Sequence, residues 1–226
     1  MSVRTPFRIL AVCTGNVCRS PLAERLLQSG LDEVAPGEFA VSSAGTRALV
    51  GDPAQPLSAE IADRLGSTLD GFRARQLTEA LVTGADLVLI LAETHRAAVL
   101  SASPAALRRT FTLREFARIV DLLPGPTSRE TASEAWARLV ANGNAERHRV
   151  RVSDPALNDV SDPYGLGPSA YERMADELVP AVSALITAAV PRKRGRRTVQ
   201  AGSRAAVRAA ERRGPTEIQP AERRPR

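Results

Sequence analysis

The sequence predicts an α/β fold in which a small doubly wound parallel sheet of about four strands is flanked by helices on both faces. Short apolar runs of strand length recur along the chain, at residues 9–12, 39–41, 87–91 and, more weakly, 110–112. Stretches with helical periodicity separate these runs. Such alternation is typical of strands that lie parallel and are joined by helices packed on the two sides of the sheet.

The helical pattern is clearest at residues 21–30, where Pro21 stands near the start and Gly30 at the end. Further helices are predicted at residues 58–65, 94–101, 113–122, 130–141 and 169–189. The stretch 143–168 is polar and rich in Asp, Asn, Gly and Pro. We predict that this stretch is a long functional loop lying against another part of the molecule.

Composition predicts one main globular domain over residues 1–190, since the 226 residues are 43% hydrophobic and 25% charged. The net charge is +6, but residues 191–226 hold 12 of the 31 Lys and Arg and three of the 25 acids. That leaves 19 basic and 22 acidic residues, or −3, for residues 1–190. The basic tail has almost no large apolar residues and is predicted to be disordered. Any contact of the tail with acidic surfaces or nucleic acid is predicted to be nonspecific and salt-sensitive.

Cysteine usage predicts a cytoplasmic location. The chain has two cysteines, Cys13 and Cys18, which are too few for the disulfide framework of a secreted domain. The apolar run at residues 9–12 is too short for a signal peptide, and no stretch approaches the ~20 apolar residues of a membrane span. His95 and His148 stand apart from other potential ligands, so we predict that both are surface residues and expect no metal or other cofactor.

A loop with anion-binding character joins the first predicted strand to the first predicted helix, with the sequence Cys13-Thr14-Gly15-Asn16-Val17-Cys18-Arg19-Ser20. Its backbone N–H groups and those of the helix start should converge at the carboxyl edge of the sheet, where they would bind a phosphate. Gly15 is predicted to permit the tight turn. Cys13 would face these amides and the positive end of the helix dipole, which favour the thiolate and make it a nucleophile.

Three further side chains of this loop have predicted roles. Arg19 can reach back across the loop, hold two phosphoryl oxygens through its planar guanidinium and stabilise the transferring group. Ser20 could donate a hydrogen bond to the Cys13 sulfur and ease its departure from a phosphocysteine intermediate. Asn16 is predicted to pin the loop. A Cys and an Arg at this spacing, taken alone, more often mean a small buried thiol and a solvated cation.

Phosphoryl transfer also needs an acid, because expelling an unprotonated leaving group is slow at neutral pH. Two Asp-Pro pairs occur late in the chain, Asp154-Pro155 and Asp162-Pro163. Aspartate before proline commonly begins a turn, so either pair could be purely structural. The residue types by themselves leave both candidates open.

The string from Val12 to Pro21 resembles the signature of the low-molecular-weight protein tyrosine phosphatase family, in the strand-to-helix context that this family requires. The resemblance covers residues 8 to about 189 and continues through Ser43-Ala44-Gly45-Thr46, Phe72-Arg73-Ala74-Arg75-Gln76-Leu77-Thr78, the strand from Asp86, and Asp162-Pro163-Tyr164-Gly165. It implies hydrolysis of phosphomonoesters on proteins, most often phosphotyrosine, through a phosphocysteine intermediate and without a metal.

The resemblance also assigns roles to particular residues. Asp162 becomes the acid, because only this Asp-Pro pair is followed by the aromatic residue and glycine of the family pattern. Tyr164 would line the entrance, and Leu49 would form an apolar wall where relatives carry an aromatic residue. The residues implied to bind the substrate are Thr14, Gly15, Asn16, Val17, Cys18, Ser20, Leu49 and Tyr164. The family further supports Cys18 as a partner that protects Cys13 from irreversible oxidation. The alternative is that Cys18 is only a small residue packed beneath the loop.

Other activities fit parts of the pattern. Similar enzymes that hydrolyse phosphoarginine carry a threonine where this chain has Val17, which favours tyrosine. An arsenate reductase would use the same loop, but no cysteine follows Cys18, so it would need a small external thiol. A non-catalytic phosphate binder typically lacks the nucleophile or the acid, and a nucleic-acid binder would rely on the basic tail alone.

Overall fold

A computed structural model describes residues 5–191 of the chain and contains a four-stranded parallel sheet. Its strands are β1 (Phe7–Cys13), β2 (Phe39–Gly45), β3 (Leu87–Ile90) and β4 (Thr110–Thr112), in the spatial order β2-β1-β3-β4. The predicted α/β class and the positions of all four strands are confirmed. The predicted disordered tail, apart from Pro191, lies outside the described residues.

Seven α-helices surround the sheet within the described part of the chain. They are α1 (Arg19–Val34), α2 (Pro56–Arg64), α3 (Glu79–Thr83), α4 (Arg96–Ala102), α5 (Leu113–Leu122), α6 (Ala132–Glu146) and α7 (Pro168–Ala188). The same part of the chain contains four short 3-10 helices, at Glu93–His95, Pro104–Arg109, Arg147–Val150 and Pro155–Asn158. None of the helices in residues 5–191 is both long and apolar enough to cross a bilayer.

The two faces of the sheet are covered unequally. Alternate residues of β1, Ile9 and Ala11, join the larger apolar cluster, to which α1, α2, α5, α6 and α7 contribute. Leu10 and Val12 belong to a smaller cluster with residues of α3 and α4. Because β1 is covered on both sides from Ile9 onward, its sequence there is continuously apolar rather than alternating. The central strand thus ends in a rigid, fully packed environment directly before the Cys13 loop.

The first helix is longer than predicted, since α1 continues past Gly30 to Val34. A side chain at position 30 would collide with Ile186 of α7. Gly30 therefore permits close packing of α1 against α7 and does not end the helix. Glycine disfavours a helix interior by about 1 kcal/mol relative to alanine, a local preference that tertiary packing here overrides.

The stretch 143–168 is less irregular than predicted. Helix α6 runs through Gly143 to Glu146, and two of the 3-10 turns follow. A Cβ at Gly143 would lie 3.1 Å from Phe111, so this glycine again allows two elements to approach closely. The periodicity did not predict helix α3, which is short. Thr78 caps the N-terminus of this helix, because its side chain accepts a hydrogen bond from the Leu81 N–H.

Candidate active site

The candidate nucleophile Cys13 is the last residue of β1 and is 2% exposed. Its Sγ lies 3.0 Å from Ser20 Oγ and accepts a 3.3 Å hydrogen bond from the Asn16 N–H. Asn16 Nδ2 donates to Ser20 Oγ at 2.9 Å, which leaves the Ser20 hydroxyl hydrogen for the sulfur. Two donors therefore converge on Cys13 and stabilise negative charge there.

Asn16 shapes the loop, whereas Gly15 had been expected to do so. Asn16 has a positive φ of 55°, and Gly15 is not among the residues with positive φ. Asparagine tolerates this left-handed conformation because its side chain can hydrogen-bond locally. Its Nδ2 also donates to Ser43 Oγ at 2.8 Å, and its Oδ1 accepts from the Arg75 N–H at 2.8 Å. The predicted pinning role therefore has a geometric basis in these contacts.

Carbonyl oxygens of the loop are engaged by the neighbouring segment. Four backbone carbonyl oxygens of the loop each accept a backbone hydrogen bond of 2.8–3.0 Å. The pairs are Thr46 N–H to Cys13, Arg47 N–H to Thr14, Leu49 N–H to Gly15, and Gln55 N–H to Val17. Carbonyl oxygens repel an anion, so engaging them elsewhere favours a loop that presents its N–H groups to a phosphate. Gly45 makes this approach possible, since a Cβ there would lie 2.5 Å from the Thr14 oxygen.

Arg19 and Asp162 form an ion pair across the site. Arg19 is 4% exposed, and its Nη2 lies 2.5 Å from Asp162 Oδ2. Its Nη1 donates to the Val160 carbonyl at 3.3 Å, while its buried Nε has no hydrogen-bond partner among the described residues. This N–H group is available to donate to a phosphoryl oxygen that enters the site.

The loop that carries Asp162 is anchored on both sides. The Val160 N–H donates to the Leu91 carbonyl at 2.7 Å, and the Ser161 N–H donates to Glu177 of α7 at 2.6 Å. Asp154 instead caps the 3-10 turn Pro155–Asn158, accepting from the Ala156 N–H at 2.9 Å. Of the two Asp-Pro candidates, only Asp162 reaches the site, and Asp154 has the local contacts of a turn residue.

A cavity of about 210 Å³ opens above the loop, and its walls are Cys13, Thr14, Gly15, Val17, Cys18, Arg19, Arg47, Leu49, Asp162 and Tyr164. Two of the residues expected to contact the substrate do not line it. Asn16 and Ser20 are fully buried beneath the loop and instead contact the sulfur and each other. Arg47 had not been predicted; it follows the end of β2, beside β1, which places it at the same edge of the sheet.

His95 is also part of the site, and the prediction that it is a surface residue is wrong. It is 3% exposed, and its Nε2 lies 3.0 Å from Thr14 Oγ1. Burial, together with the positive charge of Arg19, lowers the pKa of His95 to about 4. The only sequence signal was its position shortly after β3, since parallel strands end at one edge. His148 is exposed, as predicted.

Cys18 also borders the cavity, but as a buried thiol that is 3% exposed. Its Sγ lies 3.5 Å from the Tyr171 hydroxyl of α7. Burial raises the pKa of Cys18 to about 11, so this residue remains a thiol at neutral pH. Cys13 and Cys18 are not joined by a disulfide.

A thiol held by hydroxyl and amide donors, facing a buried arginine and an aspartate at the carboxyl edge of a parallel sheet, defines a cysteine-dependent phosphatase. The sequence model of the family described as low molecular weight phosphotyrosine protein phosphatase matches residues 8–123. The chain belongs to this family.

Similar proteins agree with this assignment. A probable low molecular weight protein-tyrosine-phosphatase, EpsP of Ralstonia nicotianae, is 36% identical over 60% of this chain and 89% of its own length. The solved low molecular weight protein tyrosine phosphatase of T. tengcongensis is 29% identical, with a TM-score of 0.58 over 80% of this chain and 98% of that one. The YwlE arginine phosphatase of Geobacillus stearothermophilus is 28% identical, with a TM-score of 0.57 over 80% and 92%.

Proposed function

We propose that this protein hydrolyses phosphotyrosine in proteins through a phosphocysteine intermediate. The observation that carries the proposal is that Cys13, Arg19 and Asp162 line one cavity of about 210 Å³. In the first step the Cys13 thiolate attacks phosphorus, the bond from phosphorus to the tyrosyl oxygen breaks, and Asp162 gives its proton to that oxygen. In the second step a water molecule loses a proton to Asp162 and attacks the phosphocysteine, which releases inorganic phosphate and the thiolate.

The ion pair between Arg19 and Asp162 is central to the proposed first step. A phosphoryl group entering the cavity competes with Asp162 for the guanidinium, because both are anionic acceptors of the same N–H groups. Asp162 is then released from the ion pair and can donate to the leaving oxygen. Binding of the substrate therefore prepares both the electrostatic clamp and the acid.

Phosphotyrosine is proposed as the substrate because the cavity walls above the loop are largely apolar. Val17, Leu49 and Tyr164 all line the cavity, and Val17 is buried. A phenyl ring gains binding free energy by packing against such walls, whereas a phosphorylated guanidinium would lose hydrogen bonds to water there. The YwlE neighbour makes phosphoarginine the second candidate. Arsenate reduction would need an external thiol in addition.

The substrate class is tested by comparing kcat/KM for one peptide carrying phosphotyrosine, phosphoserine or phosphoarginine, with arsenate reduction measured alongside in the presence of a small thiol. We expect phosphotyrosine to exceed the other two by on the order of 100-fold, since they leave the apolar walls uncovered. Leu49→Ala should reduce the preference for phosphotyrosine over the other two peptides. Faster turnover of phosphoarginine, or arsenate reduction alone, would overturn the proposal.

Residues 1–190 are proposed to carry the catalysis, since all residues that line the cavity lie between positions 13 and 164. A thiolate nucleophile must be kept reduced, so the proposal places the enzyme in a reducing compartment such as the cytoplasm.

Cys18 is expected to protect the nucleophile from oxidation. Peroxide converts the Cys13 thiolate to a sulfenic acid, and the Cys18 thiol can condense with it to form a disulfide and water. The wild type should regain most of its activity with dithiothreitol after mild peroxide treatment, whereas Cys18→Ser should remain largely inactive. Tyr171→Phe is the matched control, since it keeps the thiol and removes only its hydroxyl partner. Equal recovery of wild type and Cys18→Ser would show that Cys18 gives no protection.

A further inference from the structure

His95 holds a defined tautomer. It ends the 3-10 turn Glu93–His95 that follows β3, and its Nδ1 accepts a 3.1 Å hydrogen bond from the Ala92 N–H. A nitrogen that accepts carries no hydrogen, so the proton of the neutral ring lies on Nε2. Nε2 is 3.0 Å from Thr14 Oγ1 and therefore donates to it. The low pKa of His95, about 4, is consistent with a neutral ring at physiological pH.

The Thr14 hydroxyl is consequently surrounded by donors. Arg19 Nη2 lies 3.5 Å from the same oxygen, and a guanidinium can only donate. His95 and Arg19 thus occupy the acceptor positions of Thr14 Oγ1, and its own hydrogen must point elsewhere. Thr14 lines the cavity above Cys13. A phosphoryl oxygen in that cavity is the acceptor that this hydrogen would meet.

We propose that His95 is a positioning residue that orients the Thr14 hydroxyl as a hydrogen-bond donor to the phosphoryl group. His95 itself does not line the cavity and acts through Thr14. The inference rests on the proposed function and deepens it, because it adds a donor to the phosphate site beyond the loop amides and Arg19. The hydrogen bond also ties the phosphate loop after β1 to the turn after β3.

A simpler role for His95 would be to cap the Ala92 N–H at the end of β3, with no effect on the phosphate site. Two substitutions separate these roles. His95→Asn keeps an acceptor near the position of Nδ1 but is too short to reach Thr14. His95→Gln can place an N–H near the position of Nε2 but has no acceptor where Nδ1 was. His95→Asn thus retains the hydrogen bond from the Ala92 N–H, and His95→Gln retains the contact to Thr14.

The experiment measures inorganic phosphate affinity by calorimetry, kcat/KM for an aryl phosphate, and thermal stability. A hydrogen bond to a charged group is expected to contribute about tenfold to affinity. His95→Asn and Thr14→Val should each weaken phosphate binding and lower kcat/KM by about that factor, and the double variant should be no worse than either alone. His95→Gln should stay within about threefold of the wild type in both properties while losing some thermal stability.

Three results would overturn the inference. One is wild-type phosphate affinity in His95→Asn, which would mean that the only role of His95 is to cap the Ala92 N–H. Another is full additivity of His95→Asn with Thr14→Val, which would mean that His95 does not act through Thr14. The third is failure of His95→Gln to restore phosphate affinity while it remains folded. Because phosphate affinity is measured without turnover, a wild type that binds phosphate but hydrolyses no ester would contradict the proposed function and leave this inference testable.

Discussion

Replacing Cys13 with serine is expected to lower turnover of an aryl phosphate by on the order of 10⁴-fold or more, because a hydroxyl at neutral pH is a far weaker nucleophile than a thiolate. The two donors that converge on Sγ, the Ser20 hydroxyl and the Asn16 N–H, stabilise a sulfur anion and cannot make an alkoxide from serine. The measurement is kcat/KM for a small aryl phosphate in metal-free buffer.

The control for this substitution is a measurement of inorganic phosphate binding. Cys13→Ser keeps the loop and Arg19, so its affinity for inorganic phosphate should stay close to that of the wild type. Arg19→Ala should instead lose both phosphate affinity and turnover, the latter by on the order of 10³-fold, since the guanidinium acts on the phosphoryl oxygens. Arg19→Lys should recover little of the phosphate affinity or turnover, because lysine cannot donate two parallel hydrogen bonds from a planar group as the guanidinium does. Turnover by Cys13→Ser near the wild-type level would contradict the mechanism.

Asp162→Asn is expected to slow hydrolysis most for poor leaving groups. General acid catalysis contributes about 10²–10⁴-fold when the leaving oxygen needs a proton, and little when it leaves readily as an anion. The loss in kcat/KM should therefore be about 100-fold or more for phenyl phosphate and less than about tenfold for an aryl phosphate with an acidic phenol. The parameter kcat/KM is suitable because it reports the step that forms the phosphocysteine, before water attacks.

Asp154→Asn is the matched control, since it makes the same change in the other Asp-Pro pair. Asp154 caps a 3-10 turn and lies outside the cavity, so its substitution should leave kcat/KM for both esters within about twofold. Affinity for inorganic phosphate should also be compared, because Asp162→Asn removes the ion pair with Arg19. A larger loss in Asp154→Asn than in Asp162→Asn would reassign the acid.

Local patterns in the sequence determined the fold class and the phosphate loop. The four strands and the helices α2, α5 and α7 begin and end within a few residues of their predicted positions, because apolar periodicity and capping residues act over short distances. The loop from Cys13 to Ser20 could be predicted for the same reason. Its strand, turn and helix start are contiguous in the chain, and so are the donors that surround the sulfur.

Tertiary structure alone decided the features that depend on residues far apart in the chain. Gly30 and Gly143 lie inside helices because Ile186 and Phe111 pack where a side chain would stand. His95 is buried because the turn after β3 meets Thr14, a contact across 81 positions. Asp162 reaches Arg19 across 143 positions, a contact that residue types alone did not predict. Only the resemblance to the family had favoured Asp162 over Asp154, which caps its own turn. No local pattern carries such pairings, since they arise only when elements distant in the chain pack together, as the carboxyl ends of parallel strands do at one edge of the sheet.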